Sequence, residues 1–446
     1  MDRQKRLGEE HIGSLLLKFS VPAIIGMLVN ALYNVVDRIF IGNIPGIGKD
    51  ALTGVGITLP IMTIIMAFGM LVGIGTATAI SIRLGQGKKD EAENILGNAF
   101  MLLIITGVVI TILGLLTMEP VLNAFGASEV TLKYAKQFIQ VIFIGSIFNV
   151  LGFGLNHSIR ADGNPKIAMF TMLIGAVLNT ILEPIFIFVL HLGVRGGAAA
   201  TVIAQFVSML WILRYFTKGN SILKLRVKNF KLKKEFVLSI VAIGVSPFAM
   251  QIAASIVQII SNNALRTYGG DVSIAAMSII SSVAMIFMMP IFGINQGSLP
   301  IIGYNYGAKK YSRVKETVKK GSIAATAIVV IGFLVVEIIP HFVITIFNSD
   351  EELVRVGSNG LRIFLFMLPV IGFQAISANY FQSIGKAKMA MFLSMLRQVI
   401  LLIPLLIILP TFLGLTGVWL AGPISDGLSA LITAIVFYRD VKALKE

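Results

Sequence analysis

The chain has 446 residues, 56% of them hydrophobic and only 13% charged, with 37 Lys and Arg against 22 Asp and Glu for a formal net charge of +15. So little charge cannot coat a water-soluble globule of this length, which excludes the soluble classes and marks an integral membrane protein. Cysteine is absent, excluding disulfides and thiolate metal sites. The positive excess would suggest nucleic acid in a soluble protein, but here it sits in short loops between apolar runs, where it sets orientation.

Apolar runs of about 20 residues predict membrane-spanning helices, whereas a barrel would alternate over roughly ten-residue strands. Met1 to His11 is mixed in charge, and the run that follows is too long for a signal-peptide core, so this segment is expected to be retained. Spans are then predicted near 14–41, 51–82, 95–116, 134–158, 167–189, 194–217, 236–263, 272–302, 321–344, 355–382, 389–410 and 414–438. The fold class is therefore all-α, with twelve transmembrane helices.

The first span carries a polar stripe. Asn30, Asn34 and Asp37 recur at helical spacing around Tyr33. A carboxylate at membrane depth costs several kcal/mol and tends to mark an ion pathway. In the fifth span, Asn179 lies one turn before Glu183, and Pro184 cannot return a hydrogen bond to the carbonyl of Thr180. Glu183 falls ~9 Å inside the outer end of that helix, and Thr201 falls ~10 Å inside the outer end of the sixth. Asp37, Asn179, Glu183 and Thr201 are thus predicted to form one cation-binding site. Two carboxylates close together in low dielectric cannot both stay ionised cheaply, so the pair can share a proton, while the amide, hydroxyl and freed carbonyl equally suit sodium. Protons are favoured over sodium.

Lys and Arg concentrate on one side of the predicted spans: in the amino-terminal tail, the Arg83–Lys89 and Arg160–Lys166 loops, the 218–234 linker, the Lys309–Lys320 loop, Lys386 with Lys388, and the tail from Arg439. Both termini are therefore expected to be cytoplasmic, in a multi-pass protein of the cell membrane. The linker carries Lys224, Arg226, Lys228, Lys231, Lys233 and Lys234. It reads first as an orientation anchor joining two halves, and second as a patch for acidic lipid.

The two halves repeat. Gly163, Lys166, Ala168, Met169 and Phe170 match Gly385, Lys388, Ala390, Met391 and Phe392 at an offset of 222, and Gly75, Gly85, Phe125 and Glu129 match Gly297, Gly307, Phe347 and Glu351. Leu192, Gly193 and Gly196 match Leu413, Gly414 and Gly417 at 221. Six spans per copy leave both copies in the same orientation, an architecture of secondary transporters. The expected organisation is an amino lobe over 1–217, a basic linker over 218–235 and a carboxy lobe over 236–446. At the repeat offset Asn179 and Glu183 fall on Leu401 and Leu405, so the acid pair belongs to the first copy alone.

In the second copy, Gln251, Ser255, Gln258 and Asn262 form a neutral polar stripe that either lines a cleft or bonds between helices. Met277, Met285, Met288 and Met289 could offer a deformable surface for varied ligands, although ordinary packing also accounts for them. Asn30, Tyr33, Asn34, Gln251, Ser255, Gln258, Met277, Met285 and Gln374 are the candidates for a substrate cleft. Arg397 and Asp426 both fall near mid-bilayer and are expected to form a structural ion pair. The four histidines share no metal-ligand spacing, so no metal is expected beyond sodium at the cation site, and no cofactor.

The chain resembles the multidrug and toxic compound extrusion (MATE) transporters, in particular their MepA-like branch. The resemblance rests on Lys-Phe-Ser-Val-Pro-Ala (18–23), Val-Val-Asp-Arg-Ile-Phe-Ile-Gly (35–42), Gly-Asn-Pro-Lys (163–166), Leu-Asn-Thr-Ile-Leu-Glu-Pro-Ile-Phe-Ile (178–187) and Gly-Val-Arg-Gly-Gly-Ala-Ala-Ala-Thr (193–201). It implies two six-helix lobes around a V-shaped cleft, and cation-coupled export of amphipathic, often cationic, drug-like compounds. By the family's pattern Asp37, Asn179, Glu183 and Thr201 match an amino-lobe cation site. Where other branches place acids in the seventh and tenth helices, this sequence has Gln251, Gln258 and Gln374.

The expected activity is multidrug antiport by a monomer in the lipid bilayer, by alternating access with bending of the first helix near Pro22 and Gly26. Each charge moved inward supplies about 2.3 kcal/mol per 100 mV. No Gly-x-x-x-x-Gly-Lys-Ser/Thr loop is present, which argues against an ATP motor. A flippase for lipid-linked sugars or an exporter of one metabolite would share the helix count; the former needs a strongly cationic cleft, and intramembrane arginines are few. An enzyme would need a nucleophile with its base or a metal cluster, and neither is evident.

Overall fold

The computed structural model describes residues 3–444, so the extreme ends, to which the topology expectation applies, lie outside the described residues. Among those described there is helix and no strand. A segment in lipid has no water to satisfy its backbone, so a chain this apolar is driven into helices that close their own hydrogen bonds. After a short helix, Arg3–Glu9, the first six spans are continuous: α1 (Ile12–Gly42), α2 (Gly48–Gly85), α3 (Lys89–Ala124), α4 (Glu129–Ala161), α5 (Pro165–Val189) and α6 (Gly193–Thr217). Lys234–Gly307 is divided at Gly270, whose φ of 65° is left-handed, giving α7 before it and α8 after it. α9 is Tyr311–Ile338. α10 is a bent pair, Glu351–Phe364 and Leu368–Ser383, at 47°. Ala387–Ala443 is divided at Gly414, with φ 57°, into α11 and α12. The total is twelve among the described residues. Several spans exceed the length a bilayer needs and begin or end several residues beyond the apolar core, because polar first and last turns continue the helix past the hydrocarbon.

The duplication is written in the backbone at its turns. Gly163 and Gly385 close equivalent loops with φ of 85° and 77°, and Gly87 and Lys309 do so with 75° and 57°. Gly193 and Gly414 follow at 55° and 57°. The helices that open these repeats' fourth spans are capped alike: the Ser128 side chain accepts from Thr131 N at 3.3 Å, and Asp350 Oδ1 accepts from Leu353 N at 2.9 Å.

Two compact units emerge, and each takes one piece from the other half of the sequence. The first is built mainly from Ile25–Phe248, so it includes the opening turns of α7. The second combines Gly8–Ile24, the opening of α1, with the chain from Ala249 onward. The amino and carboxy halves of the sequence therefore trade the opening turns of their leading helices.

Glycine makes each trade feasible. In the first unit a Cβ on Gly244 of α7 would lie 1.6 Å from the Leu71 carbonyl oxygen, and one on Gly75 would lie 2.1 Å from that of Ile240. α2 and α7 thus cross backbone to backbone, the packing that small residues permit between membrane helices. In the second unit a Cβ on Gly297 of α8 would lie 2.7 Å from the Ser20 amide nitrogen, and one on Gly293 would lie 2.3 Å from Ile24 Cγ1. Gly75 and Gly297 are partners in the repeat, so both copies use one glycine for one crossing. The second unit is closed by Trp419 of α12, whose ring would lie 2.9 Å from a Cβ on Gly360 of α10.

Candidate cation site

The site is assembled in the first unit by α1, α5 and α6. α5 runs regularly to Pro184, which has no amide hydrogen to give Thr180. The helix then widens into a π segment, Ile185–Val189, with Leu190 N reaching Ile185 O at 2.9 Å and Leu192 N reaching Phe186 O at 3.0 Å. Such widened turns are common at functional positions because they free backbone groups and re-aim side chains. Here Glu183, two residues before the widened turn, is 1% exposed, with Asn179 at 2% one turn earlier.

α6 starts directly against the π segment. A Cβ on Gly196 would be 2.8 Å from the Phe186 carbonyl, so only glycine admits this approach. The neighbouring Gly197 brings its backbone close to the acid, since a Cβ there would stand 3.5 Å from Glu183 Oε1. Thr201 is buried one turn on, and its hydroxyl donates to the Gly197 carbonyl at 3.1 Å. α1 supplies the other acid. The Asp37 and Glu183 carboxyl groups lie within hydrogen-bonding reach of each other, and Tyr33, one turn before Asp37, is close to both. Phe40 meets Phe188 edge to face, ring centres 6.4 Å apart, which fixes the C-terminal half of α1 against α5.

This constellation is rich in acceptors and poor in donors. Asp37 Oδ1, both Glu183 oxygens and both polar atoms of the Asn179 amide are buried without a hydrogen-bond partner. Buried polar atoms are ordinarily satisfied, and facing carboxylate oxygens repel unless a positive charge sits between them. Asp37, Glu183, Asn179 and Thr201 supply hard oxygen donors that suit a proton or a small alkali cation. Among the described residues no three His, Cys, Asp or Glu side chains gather as for a transition metal.

The remaining candidates divide. Asn30 and Asn34 of α1 are exposed, with Asn34 Nδ2 donating to the Asn30 carbonyl at 2.7 Å. Gln251 and Ser255 are half-buried, and the Ser255 hydroxyl donates to the Gln251 carbonyl at 3.4 Å. Gln258 is exposed and donates to Asn262 Oδ1 at 3.0 Å within α7. Met285 is 51% exposed, whereas Met277 packs on the core of the second unit. Gln374 is 6% exposed and its Nε2 donates to the Ser429 hydroxyl at 2.6 Å. It is sealed into α10 against α12, because a primary amide in lipid takes the nearest hydroxyl.

Arg397 and Asp426 meet. Arg397 Nε donates to Asp426 Oδ1 at 2.5 Å, and the Ser425 hydroxyl donates to the Arg397 carbonyl at 2.7 Å. The Ser429 hydroxyl in turn donates to the Asp426 carbonyl at 3.1 Å, joining Gln374 to the same network. Arg397 sits in a π segment, Leu396–Leu402, so α11 is also widened, but about three turns before the position that repeats the α5 segment. Sequence reasoning missed Gly196 and Gly197 as site-builders, although Gly-Gly at the start of a span is a readable signal for close backbone approach.

A protein-family model, MatE, matches residues 22–185 and again 247–408, at nearly the spacing of the internal repeat. The chain belongs to the MatE family. This MatE chain is 29% identical over 430 residues to the multidrug export protein MepA of Staphylococcus haemolyticus, covering 96% of this chain and 94% of the relative. It is similar to a solved structure of the MATE multidrug transporter DinF-BH in complex with R6G, at 41% identity and a TM-score of 0.90, covering 98% of this chain and 97% of that one. A crystal structure of MATE in the bent conformation has a TM-score of 0.94 at 25% identity, covering 100% of this chain and 98% of that one. The MatE chain is accordingly a multi-pass membrane protein.

Proposed function

We propose that the protein is a cation-coupled multidrug exporter, a multi-pass monomer with both termini in the cytoplasm, which takes amphipathic, often cationic compounds outward by alternating access. The observation that carries the reading is the meeting of Asp37 and Glu183 from two helices, with acceptor oxygens turned on each other and the Asn179 amide beside them without a partner. A cation entering from outside binds there and reshapes α1 where it lies against the π segment of α5. Release of that cation to the inside resets the site.

One feature favours protons over sodium: the two carboxylates are near enough to share a proton. Asn30 and Asn34 in the first unit, and Gln258 and Met285 in the second, are the exposed candidates for substrate contact. The relatives named for multidrug export, one of them solved with R6G, support this substrate class.

The test is transport of a fluorescent cationic dye by purified protein in liposomes, with a proton or a sodium gradient imposed separately. Export driven by the proton gradient alone, and abolished in Asp37→Asn and Glu183→Gln, is expected. Undiminished export by both variants would remove the proposed site, and export driven only by sodium would replace the coupling ion.

A further inference from the structure

The basic linker between α6 and α7 is a clamped ribbon on the first unit. Asp162, fully buried after α4, accepts from Ile222 N at 3.1 Å, Leu223 N at 2.8 Å and the Tyr215 hydroxyl at 2.5 Å. Glu93 of α3, 3% exposed, accepts from Lys224 N at 3.1 Å and pairs with Arg226 Nε at 3.4 Å. Asn98 accepts from Lys233 N at 2.7 Å and donates to the carbonyls of Asn229 and Lys231, both at 3.3 Å. Phe230 stacks on Phe100 with ring centres 5.0 Å apart. Three buried polar side chains thus hold the ribbon along its length by backbone groups; Leu223, Asn229 and Phe230 turn in against the unit, and most of the other side chains turn out.

What they present is cationic and apolar in alternation. Arg226, Lys228, Lys231, Lys233 and Lys234 are exposed, with Val227 at 80% and Leu232 at 42% between them. Arg226 pairs with Glu93 and Lys233 lies over the Phe236 ring at 5.6 Å, while Lys228, Lys231 and Lys234 have no ion pair among the described residues. Glu235 is the exposed acid next to them. The depth of this face follows from α3. That helix has 36 residues, ~54 Å, against ~30 Å of hydrocarbon, so its ends stand in the headgroup layer. The ribbon touches α3 from Glu93 to Phe100, ~6–17 Å from its start, and so lies beside the helix end at headgroup level.

We propose that residues 224–234 form a fixed binding surface for anionic phospholipid headgroups of the adjoining leaflet, with Lys228, Lys231, Lys233 and Lys234 as cationic contacts and Val227 and Leu232 as apolar wedges. Basic residues at the surface attract acidic lipid, and interleaved aliphatic side chains sit at the boundary between headgroup and acyl chain. Holding the ribbon by its backbone removes the ordering cost that a loose basic segment would meet on binding. The proposal is independent of the export reading.

The test uses the full chain purified from mixed phosphatidylglycerol and phosphatidylcholine, with retained lipids counted by native mass spectrometry. Replacing Lys228, Lys231, Lys233 and Lys234 by Gln should reduce retained phosphatidylglycerol by at least about fivefold and leave phosphatidylcholine unchanged. Replacing Lys319, Lys388, Arg439 and Lys442 by Gln, the same charge removed elsewhere, should leave both unchanged. Val227→Ser with Leu232→Ser should weaken retention with the charge intact. Soluble glycerol phosphate should not displace the lipid; displacement would identify a free-phosphate site and overturn the proposal. So would equal retention by the linker variant, or equal loss in the control. Should the linker variant fail to insert, acetylation of the unaltered protein decides: these four lysines should be protected in phosphatidylglycerol nanodiscs relative to phosphatidylcholine ones, and equal labelling would refute the surface.

Discussion

The fifth helix of each repeat widens into a π segment and carries an ionisable residue, yet the two copies use it oppositely. Glu183 in α5 faces another acid, and its oxygens have no donor. Arg397 in α11 faces Asp426, an opposite charge, and the Ser425 and Ser429 hydroxyls donate to the backbone carbonyls of the same two residues. A satisfied pair has nothing left to exchange and serves the fold. An acid facing an acid stays incomplete without a bound positive charge, which is the condition for coupling to an ion. The two widened segments are not repeat partners, since at the offset of 222 Ile185–Val189 falls on 407–411 and Glu183 on Leu405, so each copy has placed its own widened turn and its own charge.

The comparison can be broken at several points. The largest effect is expected at the acid pair, where Asp37→Asn or Glu183→Gln should bring dye export to background, with normal membrane insertion on fractionation and a melting temperature no lower than that of the unaltered protein. Next is the ion pair. Asp426→Leu alone should cost ~3–5 kcal/mol in a detergent unfolding titration by leaving Arg397 uncompensated, whereas adding Arg397→Met should recover most of that loss. If the double variant also fails to export although it is stable, Arg397 and Asp426 do more than hold the fold.

Smaller effects sharpen the likeness between the copies. Gly244→Ala and Gly297→Ala each insert a methyl into a backbone crossing, and each should lower stability by ~1–3 kcal/mol in the same titration. The smallest concerns the tyrosine latches. In the first unit Tyr215 donates to Asp162, and in the second Tyr380 donates to Asp440 at 2.8 Å. Both tyrosines stack on a following phenylalanine, at 5.1 Å and 5.0 Å. Tyr380→Phe should cost ~1 kcal/mol, and Tyr215→Phe less, because Asp162 keeps the amides of Ile222 and Leu223 where Asp440 keeps Lys386. Thermal melting of the two single variants side by side reads the difference.

Much of this was legible in the sequence, for identifiable reasons. Span count and repeat follow from hydropathy and from glycines at fixed offsets, and those glycines are at the turns and crossings where backbone conformation or contact demands them. The acids of the site were legible because a carboxylate inside an apolar run is costly enough to need a cause. The trade of opening helix turns was not, since Gly75 and Gly297 advertise a close approach but not its partner. The bond of Gln374 to Ser429 was not legible either, because a polar residue in a span looks alike in sequence whether it lines a cleft or bonds to a neighbouring helix. The grip of Asp162, Glu93 and Asn98 on the linker depends on contacts up to 135 residues apart in the chain, which no local pattern encodes.

The exchanged ends of α1 and α7 also bear on how the chain withstands a break. A protease that cut between Lys231 and Leu232 would sever the covalent tie between the halves, but the carboxy-terminal product would still own the turns of α7 wedged against Leu71, and the amino-terminal product those of α1 wedged against Gly293 and Gly297. Each fragment would keep hold of a limb of the other, so the nicked molecule should run as two bands under denaturing conditions and as one particle before them.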